Sequence, residues 1–356
     1  MSGPLNPGDL IGDRYEVQRY LGEGGMQFVY VARDQLTARL VALKTPKNRS
    51  AQKRFRRSAI VAAKVNHPNV AKTLDYVRVG DDRYLIEELV EGEDLKAALL
   101  QNTTYLDPYL AAKVFHHLAK GVAAAHHAGV IHRDLKPTNI MVVGGYSLSE
   151  LKVTDFGIAK MAGEELREAI EGGEPSMTTS QTAVGALPYM APEAIEDPAS
   201  IGAPADIWSV GAMMYHLLCG TYPFGQGLRA VPQIINVQVA AIPAFVTAKA
   251  QFSPLAAELI DIALSCLKKA PAERPTADQL VARCSNLCYT SAPRDIGIVN
   301  RFLHDAFGFI GTPTGDVFFH KDCVYGDLPS VGDTVLYASY DGGDAPRALP
   351  VQKVSI

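Results

Sequence analysis

The 356-residue sequence predicts an α+β chain in three successive parts: a small sheet-rich lobe, a larger helical lobe and a short all-β module. Three observations carry this. Apolar and polar residues alternate through Tyr15–Leu21, Phe28–Ala32, Leu40–Lys44 and Tyr84–Ile86, the period of half-buried strands, so residues 10–90 read as a mainly antiparallel sheet. From Asp94 the apolar spacing becomes helical, as in Leu95–Leu100, Tyr109–His127, Ala205–Leu218 and Pro254–Leu267. Near Asn286–Pro293 that pattern stops. Short strands bounded by Gly and Asp follow: Gly297–Phe302, Gly308–Ile310, Asp316–His320 and Thr334–Tyr340.

One helix, Ala51–Val65, interrupts the first lobe. The expected organisation is therefore a first domain over 1–285, with lobes at about 12–90 and 91–285, a linker over 286–294, and a β module over 295–356. Apolar residues make up 47% and charged residues 20%, which excludes a mostly disordered chain. Five cysteines are few and odd in number. Cys284 and Cys288 lack a second pair to complete a zinc site, so all five read as reduced thiols of a cytoplasmic protein. No basic patch leads into an apolar run at the N-terminus, and no apolar stretch reaches 18 residues, so no membrane partner is expected.

The net charge of −4 is unevenly spread. Residues 295–356 hold four bases and eight acids, all Asp, and so account for the whole of it. Residues 35–74 carry ten bases and no acid, and the stretch around Glu164–Glu174 is acidic.

The chemistry-bearing motifs fall in one order. Leu21-Gly-Glu-Gly-Gly-Met-Gln-Phe-Val-Tyr30 is a Gly-rich turn between strands, where backbone N–H groups can approach phosphates closely, although Gln27 stands in place of a third glycine. Val41-Ala-Leu-Lys44 follows, then His132-Arg-Asp-Leu-Lys-Pro-Thr-Asn139, Asp155-Phe-Gly157, Ala191-Pro-Glu193, Asp206-Ile-Trp-Ser-Val-Gly211 and Arg274-Pro275. This ordered set resembles the protein kinases, and Val130–Pro137 with Pro188–Glu193 resembles the eukaryotic-like (Hanks-type) Ser/Thr kinases of bacteria, over about residues 12–285.

The resemblance implies a two-lobed kinase fold and a role for each matching residue. Asp134 would accept the proton of the substrate hydroxyl, and Lys136 would neutralise the transferring phosphoryl group. Asn139 and Asp155 would hold Mg2+, with Mn2+ as an alternative. Lys44 would pair the α- and β-phosphates of ATP beneath Gly22, Gly24 and Gly25. Glu88 and Val90 would present backbone groups to adenine, with Val29, Ala42 and Met141 against its faces. Glu193 and Arg274 would form a buried ion pair that serves the fold.

Two departures matter. Ser58 stands where the family has the helix-C glutamate that pairs the strand lysine, and no acid between Asp34 and Asp75 can replace it. Glu87, at the usually apolar gatekeeper position, either takes that place beside Lys44 or turns to solvent or to another base. In addition, Gly185-Ala186 replaces Gly-Thr, whose hydroxyl ties the substrate loop to the catalytic Asp and Lys. Arg133 marks kinases that bind a phosphate on the activation segment, here with Ser180 and Thr182 as the first candidates and Thr178 and Thr179 behind them.

The last part, with Phe307-Gly-Phe-Ile310 and Val317-Phe-Phe-His320, resembles a cold-shock domain, a five-stranded OB-type barrel. Phe307, Phe309, Phe318 and His320 match stacking positions for single-stranded RNA or DNA, and Arg301 replaces the usual Trp. Phe302 is expected to be partly core. An acidic module would bind by stacking more than by counterion release; alternatively it docks, on the basic helix C or on another partner.

The function these readings imply is ATP- and Mg2+-dependent phosphorylation of Ser/Thr on a protein substrate, with activation-segment autophosphorylation. The rival is a weakly active, nucleotide-binding regulatory protein with a nucleic-acid-binding tail. A small-molecule kinase is disfavoured by the intact Ala191-Pro-Glu193 segment.

Overall fold

A computed structural model describes residues 3–23, 27–47, 55, 59–156, 185–343 and 345–355. Six strands form the N-terminal sheet: β1 (Leu10–Ile11), β2 (Tyr15–Glu23), β3 (Gln27–Asp34), β4 (Leu40–Pro46), β5 (Thr73–Val79) and β6 (Asp82–Glu88), in the order β1-β2-β3-β4-β6-β5. All pairings within it are antiparallel. The period-2 pattern sorts its faces. Tyr15, Val17, Tyr30, Ala32, Val41, Leu43, Tyr84 and Ile86 make the apolar core of one face. The opposite face carries Val29, which lies across from Lys44, and Ala42, which lies across from Glu87. Of the expected helix Ala51–Val65, Phe55 and residues 59–62 are described and are helical. Phe55 and Ala59 pack on Leu85 of that second face.

The helical part holds a separate and larger core. Its helices among the described residues are α1 (Leu95–Leu100), α2 (Pro108–His127), α3 (Pro192–Glu196), α4 (Ala203–Cys219), α5 (Ala230–Ile235), α6 (Ser253–Cys266) and α7 (Ala277–Ser285). The four sequence-predicted helices in this region fall within one or two residues of α1, α2, α4 and α6. Helix α2 starts where it does because Asp107 accepts from the N–H groups of Tyr109 and Leu110, with Pro108 in the first turn. A small sheet, β7 (Glu93–Asp94), β8 (Ile140–Val143) and β9 (Glu150–Val153), lies against these helices.

The C-terminal part is a closed five-stranded barrel: β10 (Asp295–Leu303), β11 (Phe307–Thr312), β12 (Gly315–His320), β13 (Thr334–Tyr340) and β14 (Arg347–Lys353), in the order β10-β11-β12-β14-β13. Closure removes free edges, and Val299, Ile310, Val317, Phe319, Val335 and Val351 fill the interior. Phe302 stacks on Phe319 with centroids 5.8 Å apart, so it is partly core as the sequence suggests.

The barrel is seated on the helical part. Tyr325, fully buried, meets the rings of Tyr105, Phe245 and Phe252 at 5.7, 5.7 and 5.2 Å. Gln352 Oε1 accepts from the Asp107 N–H at 3.1 Å, and its Nε2 donates to Tyr105 O and Thr103 Oγ1. Arg294 Nη2 pairs with the wholly buried Asp107 at 2.9 Å. Gly326 has φ +80°, and a Cβ there would overlap the Tyr105 hydroxyl, so both backbone and space demand glycine. Most of the basic helix expected at Ala51–Val65, the alternative docking place, lies outside the described residues. The contacts observed among the described residues run to the α2 N-terminus and residues 102–107, 245 and 252. Buried rings, the Gln352 amide and the Arg294–Asp107 pair together make this seat.

Candidate active site

The site begins with strand alternation. Residues 42 and 44 of β4 share a face with residues 85 and 87 of β6, because Ala42 is in register with Glu87 and Lys44 with Leu85. Lys44 and Glu87 are therefore diagonal neighbours across two adjacent strands, within reach of long side chains. They meet at 2.5 Å between Nζ and Oε2, with both side chains under a tenth exposed. The same ammonium lies 2.7 Å from Asp155 Oδ1. Burial pulls the Lys44 pKa down, but the Asp155 and Glu87 charges outweigh it and hold its pKa above the ordinary lysine value. Burial likewise pushes the Asp155 carboxyl up, yet Lys44 and a Gln27 hydrogen bond outweigh that and keep it below the usual carboxylate range.

Gln27 is the residue that sequence reasoning noted only as a missing glycine. It is buried at the start of β3, and its Nε2 donates to Asp155 Oδ1 at 2.8 Å. Its Oε1 is buried with no hydrogen-bond partner among the described residues. An amide where the motif expects glycine was the available signal.

The second half of the site is the loop between α2 and β8. The carboxylate of Asp206 in α4 accepts the backbone N–H groups of His132 and Arg133 at 2.8 and 2.7 Å, and lies 2.9 Å from His126 Nε2. His132 Nε2 lies 2.7 Å from Thr154 O, and its ring rests on Phe156 with centroids 4.7 Å apart. The loop is thus tied to α4 and to the segment that follows β9. Arg133 and Asp155 hold φ of +69° and +61°, backbone settings that cost side-chain-bearing residues energy and cluster at functional sites.

On this frame Asp134 Oδ2 accepts from Asn139 Nδ2 at 3.1 Å and lies 2.8 Å from Lys136 Nζ. Asn139 Nδ2 also donates to Asp134 O, leaving its Oδ1 as an oxygen donor. Asp155 supplies a carboxylate. These are hard oxygen ligands of the kind Mg2+ takes, so the residues present fit that ion.

Of the remaining sequence-predicted residues, Val29 and Ala42 lie on the Lys44 face, and Gly22 is paired with Val29 across β2 and β3. Met141 is in β8. Glu88 ends β6, pairs with Lys152 at 2.9 Å and, with Val90, leads into β7. Gly24, Gly25, Ser58 and the phosphate candidates Thr178, Thr179, Ser180 and Thr182 lie outside the described residues. Ala186 is buried and lines a pocket with Arg133, Asp134, Leu135 and Tyr189. Glu193 and Arg274 form the expected pair, bidentate at 2.6 and 2.8 Å.

On the barrel, Phe307, Phe309 and Phe318 cluster with centroids 5.7–6.4 Å apart, all half-buried. The Arg301 guanidinium lies 4.5 Å from the Phe309 centroid and pairs with Asp316. His320 is the cross-strand partner of Phe307 and pairs with Asp322. The structure thus groups Phe307, Phe309 and Phe318, with Arg301 over the Phe309 ring.

Comparison with known proteins places this geometry. A protein kinase domain family model matches residues 15–284, and an S1-like family model matches residues 296–346. The barrel is thus OB-type, and the cold-shock likeness drawn from its aromatic motifs gives way to an S1-like one. Serine/threonine-protein kinase PkaA of Streptomyces coelicolor is 30% identical over 286 residues, covering 76% of this chain and 49% of the relative. "Probable serine/threonine-protein kinase PknB" of Corynebacterium glutamicum is 32% identical over 292 residues, covering 78% of this chain and 43% of the relative. The chain spans less than half the length of these two. The crystal structure of Rad53 residues 1–466 in complex with AMP-PNP superposes with a TM-score of 0.57 at 23% identity, over 76% of this chain and 64% of that one, a likeness of fold. No helix among the described residues is long and apolar enough to cross a membrane.

Proposed function

The chain belongs to the protein kinase family, and from that premise we propose that it transfers the γ-phosphoryl group of ATP to Ser/Thr hydroxyls of a protein substrate. One observation supports this most: the Asp134 carboxylate is held between Lys136 and Asn139 on a loop pinned by Asp206, while Lys44 and Asp155 are joined on the other side of the site. Asp134 accepts the hydroxyl proton as the oxygen attacks phosphorus and the bond to the leaving diphosphate oxygen breaks. Lys136 offsets charge on the group in transit, and Lys44 orients the α- and β-phosphates. Asp155 and Asn139 Oδ1 would hold Mg2+, which when bound neutralises phosphate charge. Catalysis on this reading is positioning and charge stabilisation, in a cleft between two lobes.

The test is radiolabel transfer from ATP, with Mg2+, to a generic protein substrate and to the chain itself. Wild type is expected to label both, and Asp134→Asn to lose about 10²–10⁴-fold in rate. Equal labelling by the two refutes the reading and favours the rival, a nucleotide-binding regulatory protein. Mass spectrometry of the self-labelled chain then locates the phosphate, expected at Ser180, Thr182, Thr178 or Thr179.

The aromatic cluster of the barrel supports a second, compatible reading: the C-terminal part holds single-stranded nucleic acid, in keeping with its S1-like match. Stacking contributes about 1–3 kcal/mol per base. Removing two rings by Phe307→Ala with Phe318→Ala is expected to weaken oligo-uridine binding by roughly 30-fold or more, with a shallow salt dependence. Unchanged anisotropy titrations would leave the barrel as a docking part only.

A further inference from the structure

Resting on the kinase reading, we infer that Glu87 is the positioning residue for Lys44, and that strand register rather than a docked helix fixes this lysine. Three observations converge. The sequence between Asp34 and Asp75 contains no acid, so the helix that follows β4 cannot supply a carboxylate to Lys44. The Lys44–Glu87 pair is formed at 2.5 Å, with side chains 8% and 6% exposed. The two residues are diagonal partners on adjacent antiparallel strands, so their relation is set when the sheet forms.

Glu87 also differs from the other acid on Lys44. Asp155 lies 2.7 Å from the ammonium but belongs to the proposed metal-ligand set, so ion binding would redirect its oxygens. Glu87 has no such competing role among the described contacts. It would be the constant partner, keeping Lys44 oriented when Asp155 turned to a bound metal ion. A buried glutamate at a position usually apolar is otherwise a costly choice, because an ionised carboxylate out of water needs a close opposite charge. In this arrangement no helix movement is needed to make or break the lysine's ion pair.

The test uses the full chain and the variants Glu87→Gln, Glu87→Met, Lys44→Met and Lys44→Met/Glu87→Met. For Glu87→Gln, which keeps shape and loses charge, kcat is expected to fall about 10–100-fold while KM for ATP changes less than about threefold, because orientation is lost more than binding. A kcat within twofold of wild type in both Glu87 variants overturns the inference. Urea midpoints of the four variants form a double-mutant cycle independent of turnover. The double variant is expected to lose less than the sum of the single losses; strict additivity overturns the pairing. Should Glu87→Met not fold, recovery of cooperative unfolding in the double variant, which leaves neither charge of the pair alone, supports the inference, and no recovery overturns it. A wild-type chain that transfers nothing refutes the kinase reading, whereas an active wild type with an uncoupled cycle refutes this inference alone.

Discussion

Replacing Tyr325 by alanine is expected to destabilise the helical part, although Tyr325 lies in the barrel sequence. Its ring is fully buried and meets Tyr105, Phe245 and Phe252 in edge-on geometry, all outside the barrel. Truncating a buried aromatic costs about 3–5 kcal/mol, and here the cavity opens at the seam between the two parts. The hydroxyl is buried without a hydrogen-bond partner among the described residues. Tyr325→Phe therefore keeps the packing, removes an unsatisfied group and is expected to be neutral or slightly stabilising. The assay is built into the chain. The single tryptophan, Trp208, lies buried in α4, so its fluorescence reports the helical part and not the barrel. At a urea slope near 3 kcal/mol/M, the Trp208 midpoint should fall by roughly 1–2 M in Tyr325→Ala. It should hold or rise in Tyr325→Phe. An unchanged midpoint in Tyr325→Ala would show that the seat contributes nothing to the stability of the helical part.

Three further outcomes are expected. Arg274→Met should lower stability by about 3–5 kcal/mol, read in urea melts, because the fully buried guanidinium binds Glu193 in bidentate fashion, donates to Lys268 and Pro204 carbonyls and stacks on Trp208; its loss leaves Glu193 unpaired. Ala186→Thr restores a hydroxyl beside Asp134 and should raise transfer severalfold; an unchanged or lower kcat would show that this site positions substrate by other means. Burial lowers the His216 pKa to about 4, with its Nδ1 3.0 Å from the Tyr189 hydroxyl. Below the ordinary value near 6.5 the unfolded chain takes up a proton that the folded chain refuses. Stability should then fall between pH 6.5 and 4 by roughly 3 kcal/mol from this group, and less in His216→Gln. Proton NMR titration of His216 at its ordinary value would remove the expectation.

Much of this molecule is legible in the sequence because its signals are local or ordered. Alternation around Tyr30 and Leu43 gives the sheet, and the spacing in Pro108–His127 gives the helix. The carboxylate gap before Asp75 points to Glu87, although only register shows that it lies diagonal to Lys44. What is not legible is long-range. Tyr325 and Gln352 look like ordinary barrel residues, and Asp107 like an ordinary helix cap, until the fold brings partners some 200 residues away against them. Gln27 reads as a defect in a glycine motif because a motif records what is missing, not what the replacement reaches. The S1-like rather than cold-shock likeness escapes for a related reason: both are small barrels with aromatic rings on one face, and the rings are what the sequence displays.

The reach of Gln352 into the α2 entrance bears on how the chain is made. Its amide receives the Asp107 N–H and donates to Tyr105, so the start of α2 lacks two of its bonds until β14 has been synthesised. At about 5–20 residues per second, the barrel follows Arg294 out of the ribosome over several seconds to about twelve. During that time the ring surface of Tyr105, Phe245 and Phe252 faces water and is open to wrong partners. A ribosome stalled before residue 352 would release a kinase region with its barrel seat bare, so folding and quality control become coupled to completion of the C-terminal strand.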